Sequence, residues 1–105
     1  MRLRLLRHAT LIVEFAGRKL LVDPMLSAPG AMPAIDNSPN PRPNPLAPLP
    51  ATVQELVQDL DAVLVTHTHR DHWDEAAAQQ LPKNVPLLCQ PEDEPKLRAQ
   101  GFTRV

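Results

Sequence analysis

The chain reads as a layered α/β domain, and three observations point there. Residues 2–22 carry strand-like apolar runs on either side of a turn candidate. From residue 52 onward, amphipathic helical patterns alternate with short apolar runs. Between the two parts lies a proline-dense stretch that neither a helix interior nor a central strand can use.

Residues 2–6 alternate imperfectly between arginine and leucine, and Leu11-Ile12-Val13-Glu14-Phe15 follows as a second strand candidate. Ala16-Gly17-Arg18 is a turn candidate, and Lys19-Leu20-Leu21-Val22 returns as a strand, so the chain starts as a β-hairpin or meander. Residues 24–50 hold nine of the thirteen prolines, with Asn37, Asn40 and Asn44 among them. This stretch is expected to be a long loop of polyproline-II character within one domain. The alternative, a linker between domains, leaves too little chain before it to form a domain. Long loops inside compact domains are often functional, which suggests a substrate-facing loop or an oligomer contact.

Thr52-Val53-Gln54-Glu55 is a capping-box signature, and Val53, Leu56, Val57 and Leu60 fall on one helical face. Ala62-Val63-Leu64-Val65 reads as a short buried strand. Trp73 to Leu81 reads as a helix rich in alanine and stopped by Pro82. A strand over 85–89 and a helix over roughly 93–100 follow, with Gly101 as C-cap. Phe102-Thr103-Arg104-Val105 resembles a strand just beginning.

A chain of 105 residues suffices for one small domain. Its net charge of −1 provides no basic field for nucleic acid. No apolar run approaches a membrane span, and Met1-Arg2-Leu3-Arg4 leads into no signal-peptide pattern. The single cysteine, Cys89, allows no internal disulfide; in its apolar run it reads as a small buried hydrophobe, and a reducing cytoplasm fits. For Trp73, lining a site and packing a helix are both open.

The chemistry concentrates in Thr66-His67-Thr68-His69-Arg70-Asp71-His72-Trp73-Asp74, which holds three of the four histidines. Imidazoles and carboxylates are the usual nitrogen and oxygen ligands of zinc and related cations. In extended backbone, residues two apart point the same way, so His67 and His69 can grip one ion. Asp71 and His72 fall on the turn that leaves the strand. Two ligand pairs so close together suggest two ions. The plainer alternatives are Asp71 as a helix N-cap and Asp74 and Glu75 as first-turn acids.

His-x-His-x-Asp-His after an apolar strand resembles the metallo-β-lactamase superfamily. Leu21-Val22-Asp23-Pro24 resembles its second-strand segment ending in aspartate. Arg7-His8-Ala9-Thr10-Leu11-Ile12-Val13-Glu14 resembles the opening strands of the L-ascorbate-6-phosphate lactonase-like branch. The likeness covers roughly residues 1–105. It implies the first half of an αββα sandwich: a β-hairpin start, then α-β-α-β-α.

It also implies a metal-dependent hydrolase in which metal-activated hydroxide attacks an ester, lactone or phosphodiester-type bond of a small molecule. His67 and His69 would hold one divalent ion, and Asp71 and His72 the second. Zinc is expected, with manganese and iron as alternatives. Asp71 would also orient the attacking water and take part in proton transfer. Asp23 would steady the ligand loop from behind, its alternative being a strand-end Asp-Pro turn. Three roles fit His8: a donor to substrate, a neighbour of the metal, or a histidine that satisfies backbone groups between strands. The family pattern uses further ligands beyond this motif, yet no histidine follows His72, and Glu92, Asp93 and Glu94 read as helix-start charge. The site is therefore expected to be incomplete in these 105 residues. The second reading is a non-catalytic module that binds metal weakly and self-associates as a homo-oligomer.

Overall fold

The first three strands form a meander whose turns are dictated by residues that tolerate left-handed backbone. In this computed structural model, which describes residues 1–27, 49, 52–69 and 72–105, β1 is Arg2–Arg7, β2 is Thr10–Phe15 and β3 is Arg18–Val22. Ala16 and Gly17 join β2 to β3 with φ of +52° and +76°, the sign pattern of a two-residue type I′ hairpin. His8 and Ala9 join β1 to β2, with His8 at φ +46°.

The chain then switches to parallel pairing. Helix α1 is Val53–Val57, β4 Ala62–Val65, α2 Glu75–Gln80 and β5 Leu87–Cys89; a 3₁₀ turn over Pro91–Asp93 runs into α3, Glu94–Ala99. The sheet order is β1-β2-β3-β4-β5, antiparallel up to β3 and parallel from β3 to β5. This mixed sheet is the first half expected of the αββα sandwich.

The N-cap half of the expected box forms: Thr52 Oγ1 accepts from the Glu55 N–H at 3.2 Å, and the Glu55 carboxylate accepts from the Thr52 hydroxyl at 3.1 Å. α2 starts later than the expected Trp73, because the Asp74 carboxylate accepts from the Ala77 N–H at 2.9 Å and sets the N-cap there. Trp73 is thereby freed to pack. It is buried, lies edge-on to Phe102 at 5.6 Å and donates its indole N–H to Gln100. Packing, and not site lining, is its role in this fold. Residues 102–105 form no strand; Arg104 only accepts one hydrogen bond from the Leu87 N–H. The expected loop over 24–50 falls largely outside the described residues.

Alternation along the strands separates two faces. Ile12, Leu21, Val63, Val65 and Leu87 point to one side and are buried with Leu56, Ala77, Leu81, Leu97 and Phe102 from the helices and the C-terminal segment. The other side also carries apolar residues in register: Leu5 opposite Leu11, Leu11 opposite Val22, Val22 opposite Leu64, Leu64 opposite Leu88. No described helix covers it, and Leu3, Leu5 and Leu88 are 64%, 68% and 53% exposed.

Ala16 offers a test of the turn assignment. An L-residue with a Cβ is disfavoured at positive φ, whereas asparagine and glycine tolerate it. Ala16→Asn is expected to stabilise the chain by about 0.5–1 kcal/mol in urea denaturation. A loss of stability would show that the turn has a different conformation.

Candidate functional site

The parallel register between β3 and β4 assembles the site. Val22 pairs with Leu64, so the residue after β3, Asp23, sits beside Thr66, where the histidine run begins. β2 runs antiparallel to β3, with Leu11 opposite Val22, which brings the His8-Ala9 turn to the same sheet edge. The carboxyl ends of parallel strands are where open α/β sheets place their ligands.

Asp23 is the pivot of this edge. It is 3% exposed and has φ +45°, in front of Pro24. Its N–H donates to the Leu64 carbonyl at 2.8 Å, and its carbonyl accepts from the Thr10 hydroxyl at 2.6 Å. Its carboxylate accepts from the Thr66 N–H at 2.7 Å through Oδ1, and from the Thr66 hydroxyl at 2.7 Å through Oδ2. Oδ2 also lies 2.8 Å from His72 Nδ1.

These contacts set the histidine tautomers. The Thr66 hydroxyl has one proton, which goes to Asp23, so at the 3.0 Å contact with His67 Nδ1 its oxygen must accept. His67 therefore carries its proton on Nδ1. His72 likewise donates from Nδ1 to the acceptor-only carboxylate. His67 thereby keeps its Nε2 lone pair for another partner.

The three imidazoles lie together. The His67 and His69 ring centres are 4.5 Å apart, and those of His67 and His72 are 3.8 Å apart. The turn that folds His72 back is closed by the N–H groups of His72 and Trp73, both donating to the His69 carbonyl at 2.9 Å. Asp71 lies outside the described residues, as does Arg70. Among the described residues, no three His, Cys, Asp or Glu side chains share one metal-holding arrangement. His8 stands in its exposed turn on the same edge, and no described hydrogen bond ties it to the run.

Residues that sequence reading passed over complete the frame. Arg7, 5% exposed, donates to the carbonyls of Met25 and Ser27 and so ties the end of β1 to the segment after Asp23. Burial pushes its guanidinium below the usual pKa, and the Asp74 carboxylate opposes that shift. Asp74 joins the same frame by accepting from the Ser27 N–H at 2.9 Å. The Thr10 hydroxyl accepts from the Met25 N–H at 2.9 Å. Arg7 and Thr10 carried no sequence signal beyond their place in a strand-like segment.

Cys89 ends β5 beside Val65, close to the run. Burial pushes its thiol up, Asp93 and Glu94 push it further, and Arg98 opposes them. A raised pKa means less thiolate at neutral pH and slow alkylation. The pH midpoint of iodoacetamide labelling is expected above that of an unstructured cysteine peptide; a midpoint below it would contradict this environment.

The comparisons agree with the geometry. A family model described as a beta-lactamase superfamily domain matches residues 2–103. The UPF0173 protein YddR of Bacillus subtilis is 37% identical over all of this chain, which spans 42% of that protein. A UPF0173 metal-dependent hydrolase of Caldivirga maquilingensis is 35% identical over 70% of the chain and 24% of its own length. Among solved structures, the isothiocyanate hydrolase from Delia radicum gut bacteria superposes with a TM-score of 0.90 at 44% identity, over 98% of this chain and 40% of that one. A possible metal-dependent hydrolase from Veillonella parvula gives 0.90 at 33% identity, over 95% and 39%. The chain thus spans about two fifths of the length of the first relatives it matches. Among the described residues, no helix is long and apolar enough to cross a membrane. With the motif run at a strand end, an aspartate locked behind it and a family match along nearly the whole length, the chain belongs to the beta-lactamase superfamily.

Proposed function

We propose that this chain carries the N-terminal metal-binding part of a metal-dependent hydrolase acting on a small molecule. The observation that carries the reading is the meeting of three imidazoles in front of a buried carboxylate: the His67 ring centre is 4.5 Å from that of His69 and 3.8 Å from that of His72, and Asp23 Oδ2 lies 2.8 Å from His72 Nδ1. A carboxylate behind a histidine is the usual support of a metal ligand, fixing the ring and raising its basicity. His67 and His69 would hold one divalent ion, Asp71 and His72 a second, with zinc the expected metal and manganese or iron the alternatives. When bound, such ions supply Lewis acidity and activation of water at neutral pH.

The chain's own residues do the rest. Asp23 and Thr66 orient the rings, and Asp71 orients the attacking water and takes up its proton. His8 would serve this reading as a donor to substrate or as a neighbour of the metal. The bond attacked is an ester, lactone or phosphodiester type, and the isothiocyanate hydrolase likeness adds the isothiocyanate carbon as a further electrophile. A catalytic ion takes about three protein ligands, so on this reading further donors come from outside these 105 residues.

The uncovered sheet face favours a second reading. Its apolar rows run across all five strands, with Arg18 only at the margin, so two copies can meet face to face without opposing like charges. On this reading the chain is a non-catalytic module that binds metal weakly and self-associates as a homo-oligomer.

Zinc titration calorimetry and light scattering on the 105-residue chain separate the readings. Wild type is expected to bind zinc with little turnover of lactone, phosphodiester, thioester or isothiocyanate substrates. His67→Ala is expected to remove one ion, and Asp23→Asn to weaken binding about 10–100-fold. Undiminished zinc binding by His67→Ala would end the metal assignment. Self-association should be lost in Leu5→Glu; robust turnover from a species of monomer mass would exclude the second reading.

A further inference from the structure

The histidine pair is held from a second side, by an element that the family motif does not include. Thr68 lies between His67 and His69, just beyond the end of β4. Its hydroxyl donates to Asp93 Oδ1 at 3.1 Å. The β4–β5 register explains the meeting: Val65 pairs with Cys89, so the residues just beyond each strand run side by side.

Asp93 closes the 3₁₀ turn that leads into α3, with helical backbone angles, and its side chain makes no cap hydrogen bond. Its two oxygens go instead to Thr68 and to the Gln90 side-chain amide at 2.9 Å. Its neighbour Glu94 behaves as ordinary helix charge and pairs with Arg98 at 3.0 Å, four residues on. Of these two acids, Asp93 is the one whose carboxylate turns to the histidine run.

We propose that Asp93 is a positioning residue for the His67–His69 pair, acting through the Thr68 hydroxyl; this rests on the metal reading above and deepens it. Anchoring Thr68 fixes the backbone rotation that aims both neighbouring imidazoles. Asp23 holds the run from the β3 side through Thr66 and His72, and Asp93 holds it from the β5 side.

The test uses cobalt(II) as the probe on the 105-residue chain, reading both affinity and the visible d–d spectrum. Wild type binds cobalt; failure to do so overturns the metal reading and this proposal together. With wild-type binding in hand, Thr68→Val keeps every charge and is expected to weaken cobalt about tenfold and alter the spectrum. Asp93→Ala should do the same, and the double variant should be no worse than either single one. Asp93→Asn keeps an acceptor oxygen and should retain most of the affinity and the wild-type spectrum. Glu94→Ala, which breaks only the neighbouring ion pair, should leave both unchanged. A wild-type spectrum and affinity in Thr68→Val overturn the proposal. So do losses that add in the double variant, or an Asp93→Asn loss equal to that of Asp93→Ala, since that pattern reports charge at a distance and not the hydrogen bond.

Discussion

The buried carboxylate of Asp23 is the interaction on which the edge of this sheet depends. A carboxylate removed from water must find donors, and this one finds them on Thr66 and His72, residues that would otherwise be free to move. The backbone contributes too. Asp23 sits at positive φ in front of a proline, a conformation unfavourable in isolation that persists only where surrounding contacts over-determine it. Here its N–H, its carbonyl and both carboxylate oxygens are all engaged. Charge-assisted hydrogen bonds of this kind are stronger than neutral ones, which suits a group meant to hold rings in one tautomer.

That arrangement depends in turn on the change from antiparallel to parallel pairing at β3. The meander brings the β1–β2 turn to one edge, and the parallel step to β4 brings the histidine run to the same edge. Arg7 and Asp74 then link the two from beneath. Arg7 clamps the Met25 and Ser27 carbonyls, while Asp74 takes the Ser27 N–H and caps α2 with its other oxygen. A buried arginine is tolerated here because backbone carbonyls and a nearby carboxylate offset its desolvation. One aspartate thus sets the start of the helix that follows the histidine run and also the path of the segment that follows Asp23.

Much of this could be read from sequence where a residue's own chemistry decides its role. The Thr52–Glu55 box, the Ala16-Gly17 turn and the apolar β4 strand were legible because each rests on neighbours in the chain. His67 and His69 were legible as a pair from their spacing, but they meet, with ring centres 4.5 Å apart, beyond the end of β4, where strand alternation does not apply. Contacts across long sequence separations were not legible. Arg7 stood out only as part of the opening segment Arg7–Glu14, and only the fold reveals that it turns inward to carbonyls 18 and 20 residues away. Asp93 looked like helix charge because nothing nearby in sequence marks Thr68 as its partner. Trp73 was ambiguous for the same reason: Asp74 takes the cap, which leaves the indole outside the helix and in the core. The strand expected over 102–105 failed because Phe102 is drawn into the core beside Trp73, and the segment gives β5 a single hydrogen bond.

The two faces of the sheet draw the remaining distinction. The helix-covered face has what a stable core needs, with Leu21, Val63 and Leu97 fully buried. The opposite face is as apolar, but three of its leucines are more than half exposed. Hydrophobic burial is worth about 25 cal/mol per Å² removed from water, so covering such a face shifts the folding equilibrium strongly. Covering also bears on the histidine run, because the edge that carries His67, His69 and Asp23 is the rim of that same sheet. A layer seated on the apolar face would bring its own side chains to that rim. Stability and the surroundings of the histidine run are therefore coupled through one surface: whatever buries Leu5, Leu64 and Leu88 also lies next to the rim that carries the run.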